Sequence, residues 1–163
     1  MANSYLTLDH FDSNEFIDAD GKNWFNLISP ELLVKLDILR GFRTAPIHIS
    51  KASGAIGRFL GENATSKHNI DKWGLVLAID VFPSYEPHLN PKDFLNLAEE
   101  VGFRGVGFYP EWEMHTGSKL LKGGFHLDVR PNEVMGDPAT WGFIGEDFVD
   151  IYTAIEYYRV AIL

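Results

Sequence analysis

A chain of 163 residues with 45% apolar side chains is long enough to bury the core of one globular domain and too short for two comfortable ones. Its formal charge of -9 and isoelectric point near 5.0 repel polyanions at long range, which argues against nucleic acid as a partner. With no cysteine there is no disulfide, no thiolate ligand and no cysteine nucleophile, so a transition metal would have to be held by Asp, Glu or the 6 histidines.

The first ten residues lack both a basic start and an apolar centre, and no later run approaches the roughly 18 apolar residues of a membrane span. The chain therefore reads as soluble, with no membrane insertion and no signal peptide of its own. Internal repeats and low-complexity linkers are absent, and one domain over 1–163 is the expectation. Nothing in the pattern speaks to the oligomeric state.

In chain order, residues 11–16 start a short helix with Asp12 or Ser13 as cap, and a turn over 18–22 breaks it. Residues 29–41 form a stronger one: Ser29 is the cap, Pro30 the first helical residue, Gly41 the stop, and Leu32, Leu33, Leu36 and Leu39 one buried stripe. Residues 46–50 alternate as a short strand, followed by an ordered glycine-rich loop over 51–62 that carries Arg58. A strand over 75–81 is closed by Pro83, and a helix over 90–102 is framed by Asn90, Pro91 and Gly102. Strands at 103–109 and 125–129 are joined by a loop containing Glu111, Glu113 and His115. The last helix is expected over 146–160, with Phe148, Ile151, Tyr152 and Ile155 at core spacing. No repeated strand-helix-strand unit with a phosphate turn is present, so the pattern favours an α+β fold, a small antiparallel sheet flanked by helices.

Two stretches carry chemistry. In 125–129 the period of two sends Phe125, Leu127 and Val129 to one face and His126 with Asp128 to the other. In 75–81 the same count groups Val76, Ala78 and Asp80, leaving Asp80 at the strand end beside a small residue. His68 precedes that strand in a polar segment that can fold its imidazole back towards Asp80. Two histidines and one carboxylate leave a fourth tetrahedral position open, the pattern of a catalytic zinc. From spacing alone the ordinary readings weigh more: a solvated loop histidine, a strand-end cap and a partly buried histidine.

The ordered set Ser66-x-His68, Gly74, Ala78-x-Asp80, Gly105-Val-Gly-Phe-Tyr-Pro110, Phe125-His-Leu-Asp128 and Trp141 resembles the peptidase M15 family. Its members are zinc D-Ala-D-Ala carboxypeptidases and related peptidoglycan endopeptidases, and the likeness is to the phage-type branch. The resemblance is strongest over 66–141. It implies a hedgehog/DD-peptidase-like fold and Zn2+ held by His68, Asp80 and His126. It also implies a peptidoglycan peptide as substrate, and a protein made in a host bacterium or carried in a phage particle that acts on the cell wall. Arg58 matches the place where such enzymes often have an arginine that can pair with a substrate carboxylate. Ser66 and Tyr109 join it as substrate-binding candidates.

Two departures stand out. The gap from His68 to Asp80 is longer than in compact members. Many members also place the general base three residues before the last histidine, where this chain has Gly123. The base is thus left to the residues. Asp128 comes first, since it shares a face with His126 and can either hold a water or orient the ligand; Glu111 and Glu113 follow. His115 is a rival third ligand without the flanking strand pattern. The alternative to an enzyme is a non-catalytic phage structural or wall-binding module that retains the fold.

Overall fold

The computed structural model describes residues 3, 5–42, 46–59, 65–85, 90–131 and 138–163. Six strands form one sheet: β1 (Ile47–Ile49), β2 (Ala78–Pro83), β3 (Gly105–Thr116), β4 (Lys119–Asp128), β5 (Ala139–Ile144) and β6 (Asp147–Val149). Their order is β1-β2-β4-β3-β5-β6, antiparallel throughout except for the parallel β3–β5 pair. Four helices accompany them: α1 (Pro30–Gly41), α2 (Ile70–Trp73), α3 (Pro91–Val101) and α4 (Ile151–Tyr157), the last continuing as a wider π turn over Tyr158–Ile162. The fold is α+β, as the pattern indicated.

Local chemistry accounts for the helices. Pro30 opens α1, and Leu32, Leu33, Leu36 and Leu39 are fully buried, each worth about 1.5–3 kcal/mol of transfer from water. Asn90 caps α3 in a reciprocal box with Asp93, and Gly102 ends it at φ 98°, a left-handed conformation suited to glycine. At the N-terminus Asp12 and Glu15 cap a single tight turn over Ser13–Phe16 in the same way. The core is one cluster, in which Phe94 of α3 and Phe108 of β3 meet Phe125 of β4 at 4.6 and 4.7 Å between ring centres. Phe125, Leu127, Ile79 and Val81 belong to it, which leaves the other face of β2 and β4 for polar groups.

Three expectations need correcting. The segment expected to be a loop with Glu111, Glu113 and His115 is strand: β3 and β4 form one long hairpin turning at Gly117 (φ 60°), with an irregularity between Tyr109 and Glu113. β2 starts at Ala78 rather than at residue 75 and ends on Pro83 itself, which pairs with Ile47 of the edge strand β1. The expected helix over 146–160 begins only at Ile151, because the turn at Gly145 (φ 61°) folds Asp147–Val149 back on β5. Phe148 and Tyr152, expected in the core, are 72% and 53% exposed, while Ile151 is buried. Residues 60–62 of the glycine-rich loop lie outside the described residues.

Candidate metal centre

Register brings the site together. Asp80 of β2 is the direct partner of His126 of β4, and Ala78 is the partner of Asp128. On the other side of β4, Gly107 faces His126 and Gly105 faces Asp128. These glycines make room: a Cβ on Gly105 would lie 2.2 Å from an Asp128 carboxylate oxygen, and one on Gly107 would lie 2.5 Å from the Trp141 indole. Trp141 can therefore lie beside His126, with ring centres 5.3 Å apart.

His68 arrives from a loop. Its backbone carbonyl accepts from Arg58 N–H at 3.0 Å, and its own N–H donates to Ser66 Oγ at 3.3 Å. Trp73 Nε1–H donates to the Ser66 carbonyl at 2.9 Å, tying the same loop to α2. Asn69 caps α2 through its side chain, so the polar insert between His68 and Asp80 is ordered by its own turn chemistry.

Three atoms converge. His68 Nε2 and His126 Nδ1 are 3.2 Å apart, His126 Nδ1 and Asp80 Oδ1 3.2 Å, and His68 Nε2 and Asp80 Oδ1 3.3 Å. Bonds of about 2.0–2.2 Å at tetrahedral angles separate ligand atoms by about 3.3–3.5 Å, so the triangle has the dimensions of one face of a zinc tetrahedron. The outer ring nitrogens are engaged: His68 Nδ1 lies 3.1 Å from the Ile56 carbonyl, and His126 Nε2 lies 2.9 Å from Asp128 Oδ2. Both partners are acceptors and assign the N–H to those outer positions, which turns the lone pairs of His68 Nε2 and His126 Nδ1 inward. Two imidazole lone pairs and a carboxylate oxygen at this spacing repel one another unless they share a cation. The residues therefore fit a metal ion, and His68, Asp80 and His126 form a group that can hold one.

Without a metal, a proton takes that place. Burial alone would lower the His126 pKa, but hydrogen bonds and charge from Asp128 and Asp80 outweigh it and raise it to about 9. Burial likewise opposes ionisation of Asp80, yet the charge of His68 and the hydrogen bonds with both histidines bring it down to about 2. Asp128 is fully buried; hydrogen bonds from Arg130 and His126 overcome that burial and hold it well below the usual carboxylate range.

The expected proton-transfer acids go to three different places. Asp128 is clamped: Arg130 donates to it through Nε at 2.8 Å, Nη2 at 2.6 Å and its backbone N–H at 3.0 Å, while His126 uses the remaining reach of Oδ2. Both of its oxygens are thus engaged, by Arg130 and by the His126 ring. Glu111 accepts from Gly145 N–H at 2.9 Å and from Tyr157 O–H at 3.0 Å, joining β3 to the β5–β6 turn and the last helix rather than to the triad. Glu113 pairs with Lys122 at 3.4 Å on the outer hairpin, and His115 lies farther along it, opposite Leu120. Position 123 could not supply a base at all. Gly123 has φ 81°, and a Cβ there would meet Tyr158 at 2.8 Å and Phe108 at 3.2 Å, on the core side of the sheet.

A cavity of about 410 Å³ opens over the triad, with Arg58, Ser66 and Tyr109 in its wall. Tyr109 Oη accepts from Trp141 Nε1–H at 3.0 Å, and its ring stacks on Trp112 at 3.9 Å. Burial raises the Tyr109 pKa, so the phenol keeps its proton for donation. Arg58 donates from Nη2 to the Gly54 carbonyl at 3.2 Å, and its Nε has no hydrogen-bond partner among the described residues. Sequence reasoning missed Arg130, Lys67 and Phe148 as wall residues. The first had a readable signal, since an arginine two residues after Asp128 can fold back on its carboxylate; exposed Phe148 had none.

No helix among the described residues is long and apolar enough to cross a membrane. Comparison of the chain with protein families, with curated proteins and with solved structures finds no match.

Proposed function

We propose that the chain is a zinc-dependent peptidase that hydrolyses peptide bonds in peptidoglycan stem peptides or crosslinks, as a phage lysis enzyme or a virion-associated wall-degrading protein. The observation that carries the metal half of this reading is the triangle of His68 Nε2, His126 Nδ1 and Asp80 Oδ1 with edges of 3.2–3.3 Å. Zinc is favoured over harder ions because two of the three donors are imidazole nitrogens, and over softer ones because no thiolate is available. The peptidoglycan half rests on the resemblance of the motifs from Ser66 to Trp141.

Bound there, zinc supplies Lewis acidity for a peptide carbonyl and for a water nucleophile. The surrounding residues have separable tasks. Asp128 holds the Nε2–H of His126 and fixes which nitrogen faces the metal, while Arg130 keeps that carboxylate ionised and in place. Tyr109 keeps its proton and faces the cavity, where it can donate to a carbonyl oxygen as negative charge builds on it. Arg58 lines the cavity, where its guanidinium can pair with a substrate carboxylate. Trp112, Trp141 and Phe148 restrict water on the open side and give the substrate apolar surface.

One observation favours a second reading. Asp80 is the only carboxylate lining the triad's cavity among the described residues, so none of the three expected acids is next to the metal. A wall-binding module that keeps its metal for stability has the same description. Purified sacculi separate the two. The peptidase reading expects zinc-dependent release of new amino groups by the wild type, lost on chelation, restored by zinc and absent in His126→Ala. Sacculus binding by the zinc-loaded wild type with no release of amine would contradict it and leave the binding module.

A further inference from the structure

The cleft does not end at the triad. A second cavity of about 350 Å³ shares Arg58, Asp80 and Trp112 with the first and continues towards the outer hairpin. Its far wall is of a different kind: Glu113, with the short side chains of Ser50, Ala52 and Ser53. Among the described residues, the first arm carries Arg58, Lys67 and Arg130 with Asp80 as its only acid, and the second adds an acid and no cation besides the shared Arg58.

We propose that this second arm is a subsite for an ammonium-bearing residue of the peptide, read by Glu113. The proposal rests on the peptidase reading for its substrate and deepens it. Glu113 is opposite Lys122, four residues along β4 from His126, which places it no more than about 13 Å from the ligand position along the strand. That separation is too long for proton transfer at the metal. It suits the terminal amine of a diamino acid one or two residues from the scissile bond, since each extended residue adds about 3.3 Å and a lysine-length side chain supplies the rest. Glu113 already forms an ion pair with an ammonium, Lys122 Nζ at 3.4 Å, with side-chain exposures of 52% and 41%. An ion pair so exposed is worth about 0–1 kcal/mol, so a substrate amine can replace Lys122 at little cost. The small residues opposite leave space for a long side chain that bulkier ones would fill. Carboxylate at the shared Arg58 and amine at Glu113 describe a peptide that carries both charges and continues past the triad into the second arm.

The test uses the zinc-loaded protein and two synthetic stem peptides that differ only in whether the diamino residue carries a free or an acetylated side-chain amine. Calorimetry measures binding, and chromatography measures cleavage. For the wild type, acetylation should weaken binding about tenfold; in Glu113→Gln the free-amine peptide should bind as weakly as the acetylated one does. Lys122→Ala should strengthen binding of the free-amine peptide and leave the acetylated one alone. Equal binding of both peptides by the wild type, or a Glu113→Gln loss that is the same for both, would overturn the subsite. The amine preference without cleavage of either peptide would uphold the subsite and overturn the peptidase reading, so the two failures are distinct.

Discussion

The two histidines of the triad are held in different ways. His126 is in a central strand with β2 on one side and β3 on the other, and its outer nitrogen meets a buried, ionised carboxylate at 2.9 Å. His68 is in a loop, and its outer nitrogen meets a backbone carbonyl at 3.1 Å. A hydrogen bond to an ionised acceptor is roughly twice as strong as a neutral one and makes the imidazole a better donor to metal. Strand register thus supplies one rigid, electron-rich candidate ligand. The loop completes the set with a ligand whose aim depends on several weak contacts. Metal affinity should be sensitive to single changes around His126 and tolerant of single changes around His68.

Loss of either ring itself gives the largest effect and treats the two alike. His126→Ala and His68→Ala should each weaken zinc binding on the order of a thousand-fold, about a third of the roughly 10–16 kcal/mol available at a zinc site. Competition with a chromophoric chelator measures this, and a loss below tenfold for either would remove that histidine from the ligand set. Changes behind the rings then separate them. Asp128→Asn keeps the shape but replaces the ionised acceptor, and should cost 10- to 100-fold in zinc affinity, about the usual range for an outer partner. Gly105→Ala should approach the same loss from the other side, because its Cβ would press on the Asp128 carboxylate at 2.2 Å. It should also destabilise the fold by about 1–3 kcal/mol, as overpacking does. Wild-type affinity in both variants would refute the orienting role.

The charge on His126 gives the comparison a pH dependence. Its folded pKa of about 9 is above the ordinary 6.5, so in the metal-free protein its contribution to stability is complete below pH 6.5 and is lost as pH rises to about 9. Asp80, lowered to about 2 from 3.8, contributes above pH 3.8 and loses that contribution as pH falls towards 2. Thermal melts of metal-free protein should therefore be highest between about pH 4 and 6.5 and fall towards pH 9. Zinc must displace the His126 proton, so its affinity should rise about tenfold per pH unit between 7 and 8. A metal-free melting temperature that climbs from pH 6.5 to 9 would show that the imidazole is not held protonated. The smallest effect is expected on the loop side. Ser66→Ala removes one 3.3 Å hydrogen bond to the His68 backbone and should change zinc affinity by about threefold or less.

The same contrast explains what could be read from the sequence. α1, α3 and the strand faces of 78–81 and 125–128 were legible because their signals are local: proline and asparagine at helix starts, glycine after them, and a period of two with apolar residues on one side. The grouping of His68, Asp80 and His126 came from the family resemblance rather than from spacing, and register makes Asp80 and His126 neighbours on β2 and β4. The outer hairpin was not legible. Glu111, Trp112, Glu113, Met114 and His115 alternate charged and large residues on a ribbon with little core beneath it, a pattern that reads equally as a loop. β5 and β6 escaped for a related reason: Phe148 has core spacing for a helix that the Gly145 turn postpones. The role of Asp128 needed side chains, because spacing placed it on the face of His126 but could not show Arg130 closing over it.

X-ray absorption at the zinc edge of the loaded protein tests the central claim, that the triangle is one face of a zinc tetrahedron. The expected spectrum is that of one zinc per chain with two imidazole nitrogens and light-atom oxygen donors at about 2.0–2.2 Å in four-coordinate geometry. His68→Ala should remove one imidazole from it. A six-coordinate, all-oxygen environment, or a wild-type spectrum that His68→Ala and His126→Ala leave unchanged, would contradict it.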